Sequence, residues 1–315
     1  MSATILDGQI VARQIQNETK KQVAAFEKEW GFQPTLVLVR AGQDPASVSY
    51  ARMIKRTCEG RGIAFQDCTL PAEASEGEMV ALVQELSADK RVNGIIVQKP
   101  MPHAVNDAAV IETLDPAKDV DGAHPLNAGR LAQAAFVDRQ EDIGPYFVPA
   151  TPLGGLELLQ RYGIEIDGQR AVIVAASNLV GKPLAMLLLR HWATPTICDL
   201  HTRSLGRLTS QADILCSATG VTHLINADMV KPGAVVLDFG FARLNNRWVG
   251  DVDYESVKEI AGAITPVPGG TGVMTNEMLM RNVLTAARRQ CQFGVKQASR
   301  VAPTRVRVTA GVSAL

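Results

Sequence analysis

With 315 residues the chain exceeds the usual size of one hydrophobic core, and its 46% apolar content is enough for two. Lys and Arg (32) balance Asp and Glu (32), which excludes the global basic field that holds nucleic acid or an anionic membrane surface. No apolar run reaches the roughly 18 residues of a membrane span, and the start, Met1-Ser2-Ala3-Thr4-Ile5-Leu6-Asp7-Gly8, lacks the basic opening and apolar stretch of a signal peptide. A cytoplasmic protein is therefore expected, with its five cysteines kept as reduced, packed thiols.

Taken in chain order, Leu36-Val37-Leu38-Val39 reads as a buried strand that ends at Ala41-Gly42. Asp44-Pro45-Ala46-Ser47 follows, and helices are predicted over 50–61 and 76–90. Gly94-Ile95-Ile96-Val97-Gln98 is the next strand, stopped by Pro100 within Val97-Gln98-Lys99-Pro100-Met101-Pro102. Turn-rich stretches at 115–130, holding Lys118-Asp119-Val120-Asp121-Gly122, and at 144–152 form the best linker candidate. A second series then begins: a helix over 153–162, a strand over 171–175, a helix over 184–192, and strands over 196–198, 214–216 and 235–238. Thr265-Pro266-Val267-Pro268-Gly269-Gly270-Thr271-Gly272-Val273-Met274-Thr275 leads into a closing helix over 276–289.

Strands alternating with helices predict an α/β protein with parallel sheets. Two domains are expected: an N-terminal αβ domain over 1–145, completed by 276–294, and a Rossmann-type dinucleotide-binding domain over 146–275. A basic tail over 295–315 is expected to be disordered.

Tyr50 on a helix, Gln98 at a strand end and Asp121 in an Asp-Gly turn are each ordinary alone. The strand-to-helix loop Ala175-Ala176-Ser177-Asn178-Leu179-Val180-Gly181 suits a dinucleotide phosphate through Ser177 and Gly181, although two alanines crowd the approach. Asp199, about 20 residues on, is placed to bond a free ribose 2′-hydroxyl and to repel a 2′-phosphate. The five histidines show no metal-ligand spacing, so no metal is expected; a P-loop and a G-x-S-x-G elbow are both missing.

Together, the segments 44–47, 97–102, 118–122 and 265–275 resemble, in order and spacing, the methylenetetrahydrofolate dehydrogenase/cyclohydrolase family, and the resemblance runs from Ile5 to about Arg289. It implies NAD- or NADP-dependent oxidation of 5,10-methylenetetrahydrofolate to the methenyl form, followed by hydrolysis to 10-formyltetrahydrofolate. It further implies that Asp121 accepts two parallel bonds from the amidine-like edge of the pterin, that Tyr50 packs on the folate, and that Gln98 positions the reactive carbon. Pro268, Gly269 and Gly270 would let backbone approach the substrate. Cofactor contacts are implied at Ala175, Ala176, Ser177, Gly181, Asp199, Thr202 and Phe241, as is a homodimer formed through the second domain.

Two departures stand out. Ile54 occupies the position of the family's active-site lysine, which manages the proton of the hydrolytic step. Lys55 is turned about 100° away on a helix. Lys99, where the family commonly has Leu, is either a replacement entering from the opposite wall or a solvated residue at a strand end. The second departure concerns the cofactor: Ala176 replaces the family's Arg and Asp199 its frequent His, which moves the expectation from NADP toward NAD. A folate-binding regulatory or partner paralogue without turnover is the alternative reading, resting on Ile54, Ala175 and Ala176.

Overall fold

Two parallel sheets divide the chain, and the computed structural model describes residues 3–136 and 145–300, with 293–300 as backbone only. β1 (Thr4–Ile5) and α1 (Gly8–Trp30) come first. β2 (Thr35–Ala41), α2 (Pro45–Glu59), β3 (Ala64–Leu70), α3 (Glu76–Ala88) and β4 (Gly94–Val97) then alternate. Short helices α4 (Asp107–Glu112) and α5 (Pro125–Ala132) lead to α6 (Ala150–Arg161). The second series is β5 (Arg170–Val174), α7 (Gly181–Arg190), β6 (Thr194–Cys198), α8 (Leu205–Thr209), β7 (Ile214–Ser217) and β8 (Val235–Asp238). A hairpin, β9 (Ala242–Leu244) and β10 (Arg247–Val249), precedes α9 (Tyr254–Val257), β11 (Ala263–Ile264) and α10 (Thr271–Arg300).

The first sheet has the order β3-β2-β4 and the second β1-β11-β8-β7-β5-β6, with parallel neighbours throughout both. Leu36 to Val39 in β2 and Ile173 to Val174 in β5 are fully or almost fully buried, as unbroken apolar runs are when helices cover both faces. α2 starts at Pro45, earlier than the apolar pattern predicts, because the Asp44 side chain accepts from the Ser47 N–H at 2.8 Å and Pro45 is preset for a first helical turn. Its buried stripe is Ser47, Ala51, Ile54 and Cys58.

Two boundaries differ from the sequence expectation. β1 belongs to the second sheet, paired with β11 and extended by the Leu6 N–H donating to the Ile264 carbonyl at 2.8 Å, so the first residues leave the N-terminal domain assigned over 1–145. A two-residue strand has no periodicity to read. The closing helix runs from Thr271 to Arg300, through the first part of the expected tail; residues 301–315 lie outside the described residues.

α10 ties the two halves together. Asn282 Nδ2 donates to the carbonyls of Val120 (2.8 Å) and Val148 (3.0 Å), and Gln290 Nε2 donates to the Asn93 carbonyl at 2.8 Å. Glu18 of α1 receives both Arg281 (2.7 Å) and Arg161 of α6 (2.8 Å), and these cations hold its carboxyl below the usual range. All five cysteines are unpaired thiols, and burial pushes Cys58 and Cys216 up to about 12. Among the described residues no helix is long and apolar enough to cross a membrane, and no three His, Cys, Asp or Glu side chains gather as a metal site.

Candidate active site

The turn after β4 is built on Asp119. The Ile95 N–H donates to the Lys118 carbonyl at 2.8 Å and Asp119 bridges to Ile95, so residues 118–122 run beside β4. Asp119 is fully buried and accepts from the N–H groups of Ala123 (3.0 Å) and His124 (2.8 Å) and from Asn127 Nδ2 (2.8 Å). The chain then reverses at Gly122, where φ is +65° and a Cβ would lie 2.5 Å from the Pro149 nitrogen; only glycine fits. In this register Asp121 comes level with the end of β4, where Gln98 stands.

Asp121 of this turn lies within electrostatic reach of Tyr50 on α2, and Gln98, at the end of β4, is tied to the same helix through Ser47. Desolvation, and then the neighbouring Asp119, push the Asp121 carboxyl up to about 7. Tyr50 is half-buried against the core, and burial followed by the facing Asp121 raises its hydroxyl well above the ordinary phenol range. Gln98 Nε2 donates to the Ser47 carbonyl at 3.3 Å, while Gln98 Oε1 is buried with no hydrogen-bond partner. A buried acceptor left open costs about 1–3 kcal/mol, so this oxygen is a place for a ligand's donor.

The lysines do not join them. Ile54, one turn after Tyr50, is 0% exposed and packed in the core. Lys55 is exposed and holds Glu59 at 3.9 Å. Lys118 donates to the carbonyls of Leu86 (3.2 Å) and Asp89 (2.7 Å). Lys99, the expected replacement, is 53% exposed, with its ammonium 2.7 Å from Asp107 at the start of α4. Strand alternation turns it away from Gln98, and the carboxylate keeps it at the surface.

The Pro268-Gly269-Gly270 turn packs on the first residues of α1. Val267–Pro268 is a cis peptide bond, Gly269 has φ +106°, and a Cβ on Gly8 would lie 2.0 Å from the Gly270 carbonyl oxygen. The sequence reading missed Gly8 as a site-shaping residue; the Asp7-Gly8 pair was its signal, since Asp7 caps α1 by accepting from the Gln9 N–H at 2.8 Å.

In the second domain, Ser177 Oγ accepts from the N–H groups of Val180 (3.1 Å) and Gly181 (3.4 Å) at the start of α7. A Cβ on Gly181 would strike the Ala175 carbonyl at 1.9 Å. Of the two alanines expected to crowd a phosphate, Ala175 is buried in the core at 3% exposure, and only Ala176 is exposed at the loop. Asp199 Oδ1, at the end of β6, accepts from the His201 N–H (2.9 Å) and Thr202 Oγ1 (3.2 Å), so those two expected contacts are adjacent. Phe241 is 60% exposed and stacks on Trp248 of β10 with centroids 4.3 Å apart.

Beneath lies a buried pair of carboxylates that the sequence reading also missed. Asp238 accepts from the N–H groups of Gly240 (2.8 Å), Asp251 (3.1 Å) and Val252 (2.9 Å), and burial pushes it up to about 6. Asp251 Oδ2 receives the hydroxyls of Ser217 and Thr219, both at 2.9 Å. These bonds fix the strand-end loops. Beyond them Gly220 has φ +74° and a built Cβ meets nothing within 4 Å. An open strand end beside the α7 N-terminus fits a dinucleotide.

The fold and these two sites define a two-domain α/β protein in which a substrate domain is joined to a Rossmann-type domain. Comparison with known proteins specifies it further. The family profile "Tetrahydrofolate dehydrogenase/cyclohydrolase, catalytic domain" matches residues 6–121, and "Tetrahydrofolate dehydrogenase/cyclohydrolase, NAD(P)-binding domain" matches 149–291. The bifunctional protein FolD of Chloroflexus aurantiacus is 47% identical over 289 residues, covering 91% of this chain and 98% of that protein. The crystal structure of the bifunctional FolD methylenetetrahydrofolate dehydrogenase/cyclohydrolase from Campylobacter jejuni is 38% identical, with a TM-score of 0.86 over 92% of this chain and 100% of that one. The Trypanosoma brucei enzyme, solved with NADP and an inhibitor, is 30% identical, with a TM-score of 0.85 over 93% of this chain and 99% of that one. The chain belongs to the tetrahydrofolate dehydrogenase/cyclohydrolase family.

Proposed function

We propose that the protein oxidises 5,10-methylenetetrahydrofolate to 5,10-methenyltetrahydrofolate with a nicotinamide dinucleotide, and that hydrolysis to 10-formyltetrahydrofolate is its slow activity. The observation that carries this is Tyr50 within electrostatic reach of Asp121 and tied through α2 to Gln98, whose Oε1 is unpartnered, with no lysine ammonium beside them among the described residues. Asp121 accepts the pterin's N–H edge, Tyr50 supports the ring system, and Gln98 Oε1 takes a donor of the ligand. Ser177, Gly181 and Asp199 hold the dinucleotide, which supplies a hydride acceptor when bound.

Oxidation depends chiefly on position: a hydride leaves the methylene carbon and the adjoining nitrogen lone pair closes the methenyl cation. Hydrolysis asks more. Water adds to the cation and must lose a proton, and the C–N5 bond breaks as N5 gains one. Tyr50 keeps its proton at neutral pH because burial raises it, and Asp121 is engaged by the pterin. Ile54 offers nothing, so proton handling is left to bulk water.

NAD is the preferred form, because Asp199 at the end of β6 places a carboxylate where a 2′-phosphate would be repelled. The protein is a homodimer through the exposed edge of β6. A spectrophotometric assay with methylenetetrahydrofolate, run with NAD and with NADP and followed by methenyl hydrolysis, tests the reading. Oxidation without matching hydrolysis is expected, with Ile54→Lys raising hydrolysis by about a hundredfold and Lys99→Leu leaving it unchanged. Folate binding without oxidation by either cofactor would replace this reading with that of a paralogue without turnover.

A further inference from the structure

Asp251, two residues after β10, is 1% exposed, and one oxygen of its carboxylate gathers four donors from the end of β7. Its Oδ2 accepts from the hydroxyls of Ser217 and Thr219, both at 2.9 Å, and from the N–H groups of Thr219 and Gly220, the latter at 3.3 Å. Four donors on one oxygen suit an ionised acceptor. The backbone beside it is held separately: the Asp251 carbonyl accepts from the Ile225 N–H at 3.0 Å, and the Asp253 N–H donates to the Ile225 carbonyl at 2.8 Å. The side chain can therefore change while that ladder stays. Two glycines make room for the arrangement, since a Cβ at Gly240 would lie 2.2 Å from Asp251 Oδ1 and one at Gly250 would lie 1.9 Å from Asp238 Oδ2.

The strand order fixes what this loop faces. β6 lies on one side of β5 and β7 on the other, so the winding reverses between β5 and β7, and the crevice outside their carboxyl ends is where a doubly wound sheet takes its dinucleotide. Residues 175–181 form the β5 wall of that crevice. Thr219 and Gly220 form the β7 wall, close beside it, because the Ala218 N–H donates to the Val174 carbonyl at 3.1 Å. With Asp199 after β6 on the side of the adenine ribose, the nicotinamide half runs to the β7 side. The substrate turn lies that way too: the Thr265 N–H donates to the Val236 carbonyl of β8 at 3.0 Å, and Thr271 Oγ1 to the Asp238 carbonyl at 2.7 Å.

We propose that Asp251 is a positioning residue for the cofactor: by holding Thr219 and Gly220 in place, it sets the wall against which the nicotinamide half of the dinucleotide lies. It acts through those two residues and not by touching the ring. The proposal rests on the dinucleotide reading of this domain and adds to it a residue that decides affinity for one half of the cofactor. Without the carboxylate, four donors lose their acceptor, and Gly220, exposed and with nothing within 4 Å of a built Cβ, is free to take other conformations. The wall is then no longer preorganised, and binding must order it. The β5 wall keeps its own bonds, from the N–H groups of Val180 and Gly181 to Ser177 Oγ.

Calorimetry with NAD, NADP and ADP on the wild type, Asp251→Ala and Asp251→Asn separates the loss of one wall from general damage. ADP carries the adenine half and the phosphates but no nicotinamide. For whichever dinucleotide the wild type binds more tightly, Asp251→Ala should raise Kd about tenfold while the Kd for ADP stays within about twofold. Asp251→Asn keeps an uncharged oxygen for the same donors, so its Kd should rise only about threefold. With no ligand present, amide exchange at Thr219 and Gly220 should quicken about tenfold in the alanine variant. Should that variant fail to fold, Thr219→Val removes one donor at nearly constant shape and should raise the dinucleotide Kd about threefold, with the Kd for ADP unchanged. Unchanged exchange at these two amides, a dinucleotide Kd equal to wild type in the folded variants, or an equal loss for ADP would overturn the proposal. A wild type that binds neither dinucleotide would instead overturn the cofactor reading, and the proposal with it.

Discussion

Asp121 holds its proton to about 7 because it is desolvated beside a second carboxylate, Asp119, whose bonds all go to its own turn. The folded-state value lies above the unfolded one of about 4, so the folded protein binds the extra proton, and ionising Asp121 above pH 7 costs stability. That cost shrinks as pH falls from 7 toward 4. Asp121→Asn should therefore melt at a higher temperature than wild type at pH 8, by several degrees, with the gap closing by pH 5; an equal gap at both pH values in differential scanning calorimetry would refute this. Folate binding runs the other way. In the role proposed for Asp121 the pterin edge needs the ionised acceptor, so wild-type Kd should rise up to tenfold for each pH unit below 7, while the Asn variant should bind weakly at every pH. Asp121 was legible in the sequence because it stands in the Lys118-Asp119-Val120-Asp121-Gly122 run, but its raised proton affinity was not. That property comes from the desolvation of Asp121 itself and then from the neighbouring carboxylate of Asp119, both of which the folded turn supplies. Lys99 was open in the sequence for a related reason: alternation gives the direction of a side chain, while only the fold brings Asp107 within 2.7 Å to hold it at the surface.

Between elements, the contact of α1 with the turn before α10 leaves no room for a methyl group at position 8. Gly8→Ala must push the Gly270 carbonyl, 2.0 Å from the new Cβ, and with it the Pro268-Gly269-Gly270 backbone, the proposed substrate wall. Overpacking of this kind costs about 1–3 kcal/mol. The expected result is a lower melting temperature and a KM for methylenetetrahydrofolate raised about tenfold, with the Kd for the dinucleotide unchanged; a KM equal to wild type would show that the turn is not a substrate wall. Elements buried on both faces were readable in advance: β2, β4, β5 and β8 follow from runs such as Leu36 to Val39. β3 was not, because Gln66 and Asp67 leave an edge strand polar and half-exposed. β1 and β11 are two residues each and are defined by pairing alone, β1 with β11 and β11 also with β8. The α10 boundaries moved for a similar reason: Thr271 Oγ1 donates to the Asp238 carbonyl at 2.7 Å, a contact 33 residues away in sequence.

At the scale of the whole molecule, the six-stranded sheet ends in β6, which among the described residues pairs only with β5 and so leaves one row of N–H and C=O groups open. Around it Ile197 (42%), Trp192 (49%) and Leu200 (57%) are exposed, and Phe136 stacks on Trp192 with centroids 4.2 Å apart. An open strand edge flanked by apolar side chains is a place for a second copy to continue the sheet and cover them. Light scattering on purified protein should therefore give twice the 33.8 kDa of the chain, and Ile197→Arg should shift it to the monomer by weakening association about a hundredfold or more. A wild-type monomer, or a variant that stays dimeric at micromolar concentration, would disprove this interface. The same variant separates assembly from chemistry. Tyr50, Gln98 and Asp121 come from one chain and are held by α2, β4 and the Asp119 turn, all in the first domain. The monomeric variant should thus keep folate affinity within about twofold, and any larger loss would have to pass through β5 and α7 to the dinucleotide loop, where it would register first as a raised KM for the cofactor.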